Sequence, residues 1–273
     1  VKIPLVLALW RDSHFGGTKR IFVDDQNDLG DAVINSNFND QASSVGVHPG
    51  PNFNAAAGYT VSLFSDANFS GKEIVLTAGI YPDLQPMDFN DQISSIRFNA
   101  PGSRQAGLYI GGQLQYEIGP TGDAAQITPI PAVIELYVAH DVQEGLGGPL
   151  GGPTIHGSLL ATLVESSLDI GADYGKEFVR SVNVIKILRG PNPTCTVRLY
   201  RDANPDQPGG PIQGGGYIEL EPAANGTLSR FDLAGAYSLT NYDFANQTSA
   251  ITVIYRNVIA SLAETAVRGL SGG

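Results

Sequence analysis

Two short blocks recur in the same order within the first hundred residues. Trp10-Arg11-Asp12-Ser13-His14-Phe15-Gly16-Gly17 and Phe64-Ser65-Asp66-Ala67-Asn68-Phe69-Ser70-Gly71 share one pattern: aromatic, four residues, aromatic, any residue, glycine, 54 positions apart. Each is followed by a second matching block, Asn39-Asp40-Gln41-Ala42-Ser43-Ser44-Val45 and then Asn90-Asp91-Gln92-Ile93-Ser94-Ser95-Ile96, 51 positions apart. Residues 1–99 are therefore two copies of one unit that differ by three residues in the loop between their blocks. A duplicated unit restricts the fold strongly, because neither copy is built to bury its apolar face without the other.

The units read as β-structure. Leu5, Leu7 and Leu9, then Val61 and Leu63, then Ile74 and Leu76 alternate with period two between turn residues, which predicts an all-β chain of antiparallel sandwich type. Fainter copies follow. Val197-Arg198-Leu199-Tyr200-Arg201-Asp202-Ala203-Asn204 echoes 61–68, and 243–251 echoes 88–96 with one residue of slack. Ile134 to Tyr137 and Phe178 to Val182 bracket a weaker third copy. In the third and fourth copies the first hairpin carries a Gly/Pro-rich insertion, 145–157 and 205–216. The expected organisation is a domain over 1–99, a Gly/Pro/Gln connector over 100–131 with a hairpin about Gly111-Gly112, and a divergent domain over 132–257. The C-terminal segment 258–273 closes the chain: Val258, Ile259, Leu262, Ala263, Ala266 and Val267 fall at helical spacing before Gly269, predicting an amphipathic helix over 258–268 and a tail.

Charge and composition remove several partner classes. Sixteen Lys and Arg against 27 Asp and Glu give a net charge of −11, which repels a phosphate backbone and anionic lipid, so no nucleic acid is expected as a partner. The longest apolar run, Ile3 to Trp10, contains Pro4 and falls far short of the roughly 20 residues of a membrane span. Cys195 is the single cysteine, so stability is expected from packing or a bound ion rather than an internal disulfide. A chain that starts at Val1 reads as a processed or a trimmed product, and the expected location is secreted or cell surface.

The paired blocks resemble the βγ-crystallin superfamily, whose motif has an aromatic corner in its first hairpin and a glycine just after it. In calcium-binding microbial members the later loop reads (Asn/Asp)-(Asn/Asp)-x-x-(Ser/Thr)-Ser, and 39–44 and 90–95 match it without a departure. The resemblance is strong over 1–99 and suggestive over 132–257. It implies two Greek-key β-sandwich domains and about two Ca2+ ions in the first. Each ion would take oxygens from one loop, Asn39, Asp40 and Gln41 or Asn90, Asp91 and Gln92, and a hydroxyl, Ser43 or Ser94, from the other. The carbonyl of Arg11 or Ser65, just after the hairpin aromatic, would complete the protein ligands. The chemistry is reasonable in itself: calcium wants six to eight hard oxygens, and such loops offer carboxylate, amide, hydroxyl and carbonyl oxygens with no sulfur. In the fainter second pair, Lys176 and Arg180 bring cations to the corresponding loop, so that domain is expected to keep the fold without the metal.

Enzyme signatures are thin. Gly269-Leu270-Ser271-Gly272-Gly273 fits G-x-S-x-G but ends the sequence with no helix after it. His14, His48, His140 and His156 have no ligand spacing and read as surface residues. Trp10, Phe15, Phe64 and Phe69 read as corner packing rather than stacking platforms. The expected function is a non-enzymatic, calcium-binding structural protein that self-assembles, through the strand-forming run Val1 to Trp10 or the helix 258–268. The alternatives are a lectin-like adhesin or inhibitor that binds a glycan or protein through the Gly/Pro-rich loops, and a membrane-acting toxin.

Overall fold

The computed structural model describes residues 3–30, 38–121, 130, 132–143, 154–167, 169–170, 182, 184–189, 194–201, 217–220, 236–238 and 248–256. The helix expected over 258–268, the first insertion up to residue 153 and the whole of the second lie outside these residues. The chain divides into two compact units, Val1–Ile130 forming the body of the first and most of the chain from Pro131 onward the second. The described elements are strands joined by loops and short 3-10 turns, so the all-β reading holds.

In the first unit each copy of the repeat builds one sheet. The first copy supplies β1 (Leu5–Trp10), β2 (Lys19–Phe22) and β3 (Ser44–Pro49). The second supplies β4 (Val61–Asp66), β5 (Ser70–Leu76), β6 (Gly79–Tyr81) and β7 (Ser95–Phe98). The sheet orders are β2-β1-β3-β6 and β7-β4-β5 continuing outward, so each copy lends a short third piece to the other's sheet. Strand β6 pairs with β3, with Val45 opposite Tyr81. In return Gln26 and Ile96 exchange both backbone hydrogen bonds at 2.8 Å. This exchange ties the sheets together, and the apolar faces meet between them: Leu5, Leu7, Leu9, Leu63, Ile74, Leu76, Tyr81 and Phe89 form one buried cluster. Each such side chain contributes about 1.5–3 kcal/mol by leaving water. Asp24 to Gly30, acidic as it is, therefore belongs to the frame: Leu29 is fully buried, and Asp25 Oδ1 accepts from Phe98 N at 2.7 Å.

The aromatic-to-glycine block folds the tip of each first hairpin. His14 and Phe15 in one copy and Asn68 and Phe69 in the other take positive φ between 57° and 64°. The aromatic pairs Trp10–Phe15 and Phe64–Phe69 meet edge to face at 5.0 and 5.9 Å, so these rings are corner packing. The block's glycine follows from geometry. Gly71 has φ 81°, and a Cβ there would lie 2.2 Å from Ser65 Oγ.

The hairpin expected about Gly111-Gly112 is present, with φ 55° and 77° at the two glycines. Its strands β8 (Gly107–Ile110) and β9 (Gln113–Tyr116) do more than connect: they extend the second sheet to the order β7-β4-β5-β8-β9. Sequence periodicity gives no sheet membership, and here a half-buried ion pair supplies the anchor. Arg104 grips Glu73 of β5 through Nε and Nη2 and lies 4.1 Å from the Tyr109 ring. Strand β1 is interior, with β2 on one edge and β3 on the other, so this run offers no free edge to a neighbouring subunit. His48 is half-buried rather than superficial, packed toward Gly46 and Trp10 in β3 and β1.

The second unit repeats this pairing. Strands β10 (Ala132–Gln143), β11 (Thr154–Leu163), β12 (Val184–Arg189) and β15 (Ala236–Ser238) form a sheet in the order β11-β10-β12-β15. Strands β13 (Thr194–Tyr200), β14 (Tyr217–Leu220) and β16 (Ala250–Arg256) form another, β14-β13-β16. Ser167 bridges Ile251 as Gln26 bridges Ile96. Buried Ile134, Leu136, Ile185, Ile187, Val197, Leu199 and Ile251 are its apolar interior.

Candidate metal centre

Both Asn-Asp loops arrive at the first unit's sheets in the same backbone shape. Asp40 and Asp91 each have φ 52°, a left-handed conformation that Asp adopts more readily than most residues. The loops dock on one another: Asp40 N donates to Ile93 O and Asp91 N to Ala42 O, both at 3.0 Å. This crossed docking decides which side chains meet. Ser94 Oγ lies 3.1 Å from Asp40 Oδ1, and Ser43 Oγ lies 3.0 Å from Asp91 Oδ1. Each carboxylate is exposed while its partner serine is buried, so the cluster opens to solvent on one side.

Ser94 Oγ also lies 2.9 Å from the carbonyl oxygen of Ser65. Three oxygens, one of them charged, thus converge around a single hydroxyl proton, which can serve only one acceptor at a time. An excess of acceptors over protons is a place where a hard cation is favourable. The Ser65 carbonyl is there because Ser94 N bonds Phe64 O at 2.8 Å, which sets the loop beside the folded hairpin. At the other cluster Ser43 N bonds Trp10 O at 2.9 Å, setting Ser43 next to Arg11 in the same way.

The remaining residues singled out from sequence take supporting positions. Asn39 Nδ2 donates to Asp40 Oδ2, and Asn90 Nδ2 to Asp91 Oδ2, each at 2.7 Å, so these amides aim the carboxylates. Gln41 Oε1 accepts from Arg11 Nη2 at 2.6 Å. Gln92 is half-buried at the matching position of the other loop. Among the described residues no group of three or more His, Cys, Asp or Glu side chains is placed to hold a metal. The donor set here is of another kind, one carboxylate per cluster supplemented by hydroxyl and carbonyl oxygens. Among the described residues no helix is long and apolar enough to cross a membrane.

No family model matches the chain, and no curated protein matches it. Solved structures do. A βγ-crystallin from Ciona intestinalis is 29% identical over 34% of this chain and 99% of its own, with a TM-score of 0.28. A βγ-crystallin domain from Flavobacterium johnsoniae is 26% identical over 36% of this chain and 98% of its own, also at 0.28. A βγ-crystallin from an archaeon is 24% identical over 35% and 98%, again at 0.28. These neighbours are βγ-crystallin domains. They correspond to about a third of the chain.

One role went unassigned in the resemblance to βγ-crystallin loops, that of the second serine in each Ser-Ser pair. Ser44 Oγ accepts from Phe15 N at 3.0 Å and donates to Asp12 O at 2.7 Å. Ser95 Oγ accepts from Phe69 N at 3.0 Å and donates to Asp66 O at 2.7 Å. Each therefore pins the tip of its own copy's hairpin, while the first serine faces the carboxylate. The signal was in the doubling itself: where the chain enters a strand successive side chains point to opposite sides, so the serine that opens β3 or β7 and the one just before it have different partners.

Proposed function

We propose that the chain is a non-enzymatic structural protein, secreted or displayed on a cell surface, that self-assembles and whose first unit binds about two calcium ions. Two Greek-key sandwiches of βγ-crystallin type and a C-terminal amphipathic helix complete this reading. The observation that carries it is the crossed contact of hydroxyl and carboxylate: Ser94 with Asp40 and the Ser65 carbonyl, Ser43 with Asp91. One ion would be held by Asp40, Ser94 and the Ser65 carbonyl, the other by Asp91, Ser43 and the Arg11 carbonyl, with water filling the remaining coordination. One carboxylate per site is a low charge count, so affinity is moderate. The ion's role is to tie the two loops together and so stabilise the paired copies.

Isothermal calorimetry of the full chain tests this, with thermal unfolding followed at the same calcium concentrations. The expected result is heat for about two ions and a melting temperature that rises with calcium. At free calcium about 100 times the dissociation constant, linkage gives about 2.7 kcal/mol per site. No heat and no shift at millimolar calcium would end the calcium reading.

A further inference from the structure

The open edges of the first unit's sheets are protected, with one exception. Strand β2 carries Lys19 and Arg20, charges of the kind that discourage edge pairing. Strand β6 is three buried residues long, and Thr121 N covers its Ile80 carbonyl at 3.2 Å. Strand β7 is covered by the segment before Leu29: Gln26 takes both backbone groups of Ile96, and Asp25 takes Phe98 N. Strand β9 ends its sheet, and all four of its residues are exposed.

The hairpin that ends in β9 also lacks charge. Residues 105–116 contain no Asp, Glu, Lys or Arg, in a chain of net charge −11. Ile110, Leu114 and Tyr116 are exposed on it and make up three of the four exposed large hydrophobic residues among those described. A neutral, apolar-bearing edge is the feature that natural sheets usually avoid unless something pairs with it.

We infer that β9 is where a second copy of this chain docks, by antiparallel pairing of β9 with β9 across a two-fold axis. This rests on the self-assembly reading above and assigns it a surface. The sequence supplies the self-complementarity that a two-fold contact requires. Gln113-Leu114-Gln115 reads the same in both directions, so pairing centred on Leu114 sets Leu114 opposite itself and each Gln113 opposite the partner's Gln115. Side-chain amides face side-chain amides, no like charges are brought together, and Ile110 and Tyr116 flank the seam from their own copies. A partner of unrelated sequence gains nothing from that palindrome.

Sedimentation of the full chain over a wide concentration range, with charge-bearing variants, tests the assignment. The wild type is expected to self-associate. Gln113→Lys/Gln115→Lys and Gln113→Glu/Gln115→Glu are each expected to sediment as monomers, because the antiparallel register sets like charges opposite one another. Mixing the two variants is expected to restore a dimer. Both double variants should keep the wild-type near-ultraviolet spectrum and calcium heat, since β9 is remote in sequence from the Asn-Asp loops. Association that survives in both variants overturns the β9 surface and leaves self-assembly standing. A wild type that stays monomeric at all concentrations overturns self-assembly and the surface together. Monomeric variants that fail to rescue one another overturn the antiparallel register.

Discussion

In the first unit Ser94 N donates to Phe64 O and Leu29 N to Ser94 O, both at 2.8 Å. In the second, Ser249 N donates to Tyr200 O at 2.8 Å and Ile170 N to Ser249 O at 3.0 Å. The frame is thus repeated bond for bond, but the side chains hung on it differ. Strand register sets Ser95 opposite Phe64 and Ser44 opposite Trp10. The matching positions in the second unit hold Ala250 opposite Tyr200 and Val184 opposite Tyr137. Lys176 and Arg180, on which the expectation of a second unit without metal rests, lie outside the described residues. The comparison teaches that backbone pairing and apolar burial maintain this fold, whereas the serine pin on the hairpin is a separable addition. Where the pinning serine is gone, the sequence tolerates long Gly/Pro-rich insertions into the same hairpin.

The largest expected effect concerns the carboxylates of the first unit's two loops. Asp40→Ala should abolish one ion and Asp91→Ala the other, each removing about 2.7 kcal/mol of calcium-linked stability at 100-fold saturation. Because the contacts cross, Ser94→Ala added to Asp40→Ala should remove little more, whereas Asp91→Ala added to Asp40→Ala should remove both ions. Calorimetric stoichiometry checks this. Equal additivity of all pairs would show that the loops do not share ions as the geometry pairs them.

Next in size is the pin. Ser95→Ala copies the Ala250 of the second unit into the first and leaves Phe69 N and Asp66 O without their hydroxyl. The cost should be about 1–3 kcal/mol, read from denaturant unfolding in the absence of calcium. A loss within about 0.3 kcal/mol would mean that the Phe64–Phe69 contact alone holds the hairpin tip.

Much of this architecture was legible in residues 1–99, and the reasons are specific. The doubled aromatic-to-glycine block announces its hairpin because positive φ and the close approach to Ser65 leave only glycine at Gly71. The Asn-Asp and Ser-Ser pairs announce the loops because few other side chains both tolerate φ near 52° and offer oxygen. The exchange of third pieces was not legible. Strand β6 is three residues long, and the Gln26 bridge is a single pair, so neither has enough length for periodicity to register. Nor could sequence tell which serine met which carboxylate without the family resemblance, since crossing is a property of two sheets packed together.

A smaller effect sharpens the comparison from the other side. Thr248 is fully buried, and its Oγ1 has no hydrogen-bond partner among the described residues. By register it takes the position of Ile93, which is equally buried in the first unit. A hydroxyl in an apolar position loses its hydration without compensation. Thr248→Val keeps the shape and removes the hydroxyl, and it should stabilise the second unit by about 1 kcal/mol, visible as a rise in that unit's melting transition. An unchanged or lowered transition would mean that the hydroxyl is satisfied in solution.

The smallest effect separates the two clusters of the first unit from each other. Their backbones match, yet one hairpin residue differs in charge: Ser65 beside the Asp40 cluster, Arg11 beside the Asp91 cluster. Ser65 Oγ is occupied within its own hairpin, accepting from Lys72 N at 2.9 Å. Arg11 reaches across to the Asn-Asp loop and fixes its guanidinium on Gln41 Oε1 at 2.6 Å. A fixed cation beside a site for a dication lowers its affinity, and because Arg11 is exposed the penalty is screened by salt and modest. Calcium binding should therefore be stepwise, the Asp40 cluster filling first. Arg11→Ser should raise the affinity of the second step about fivefold at low ionic strength and less at high, bringing the two steps together. Ser65→Arg should do the reverse at the first. Two steps that remain equally far apart in Arg11→Ser would place the inequality elsewhere in the loops, and steps already equal in the wild type would show that the guanidinium, held on Gln41, is too well solvated to act on the ion.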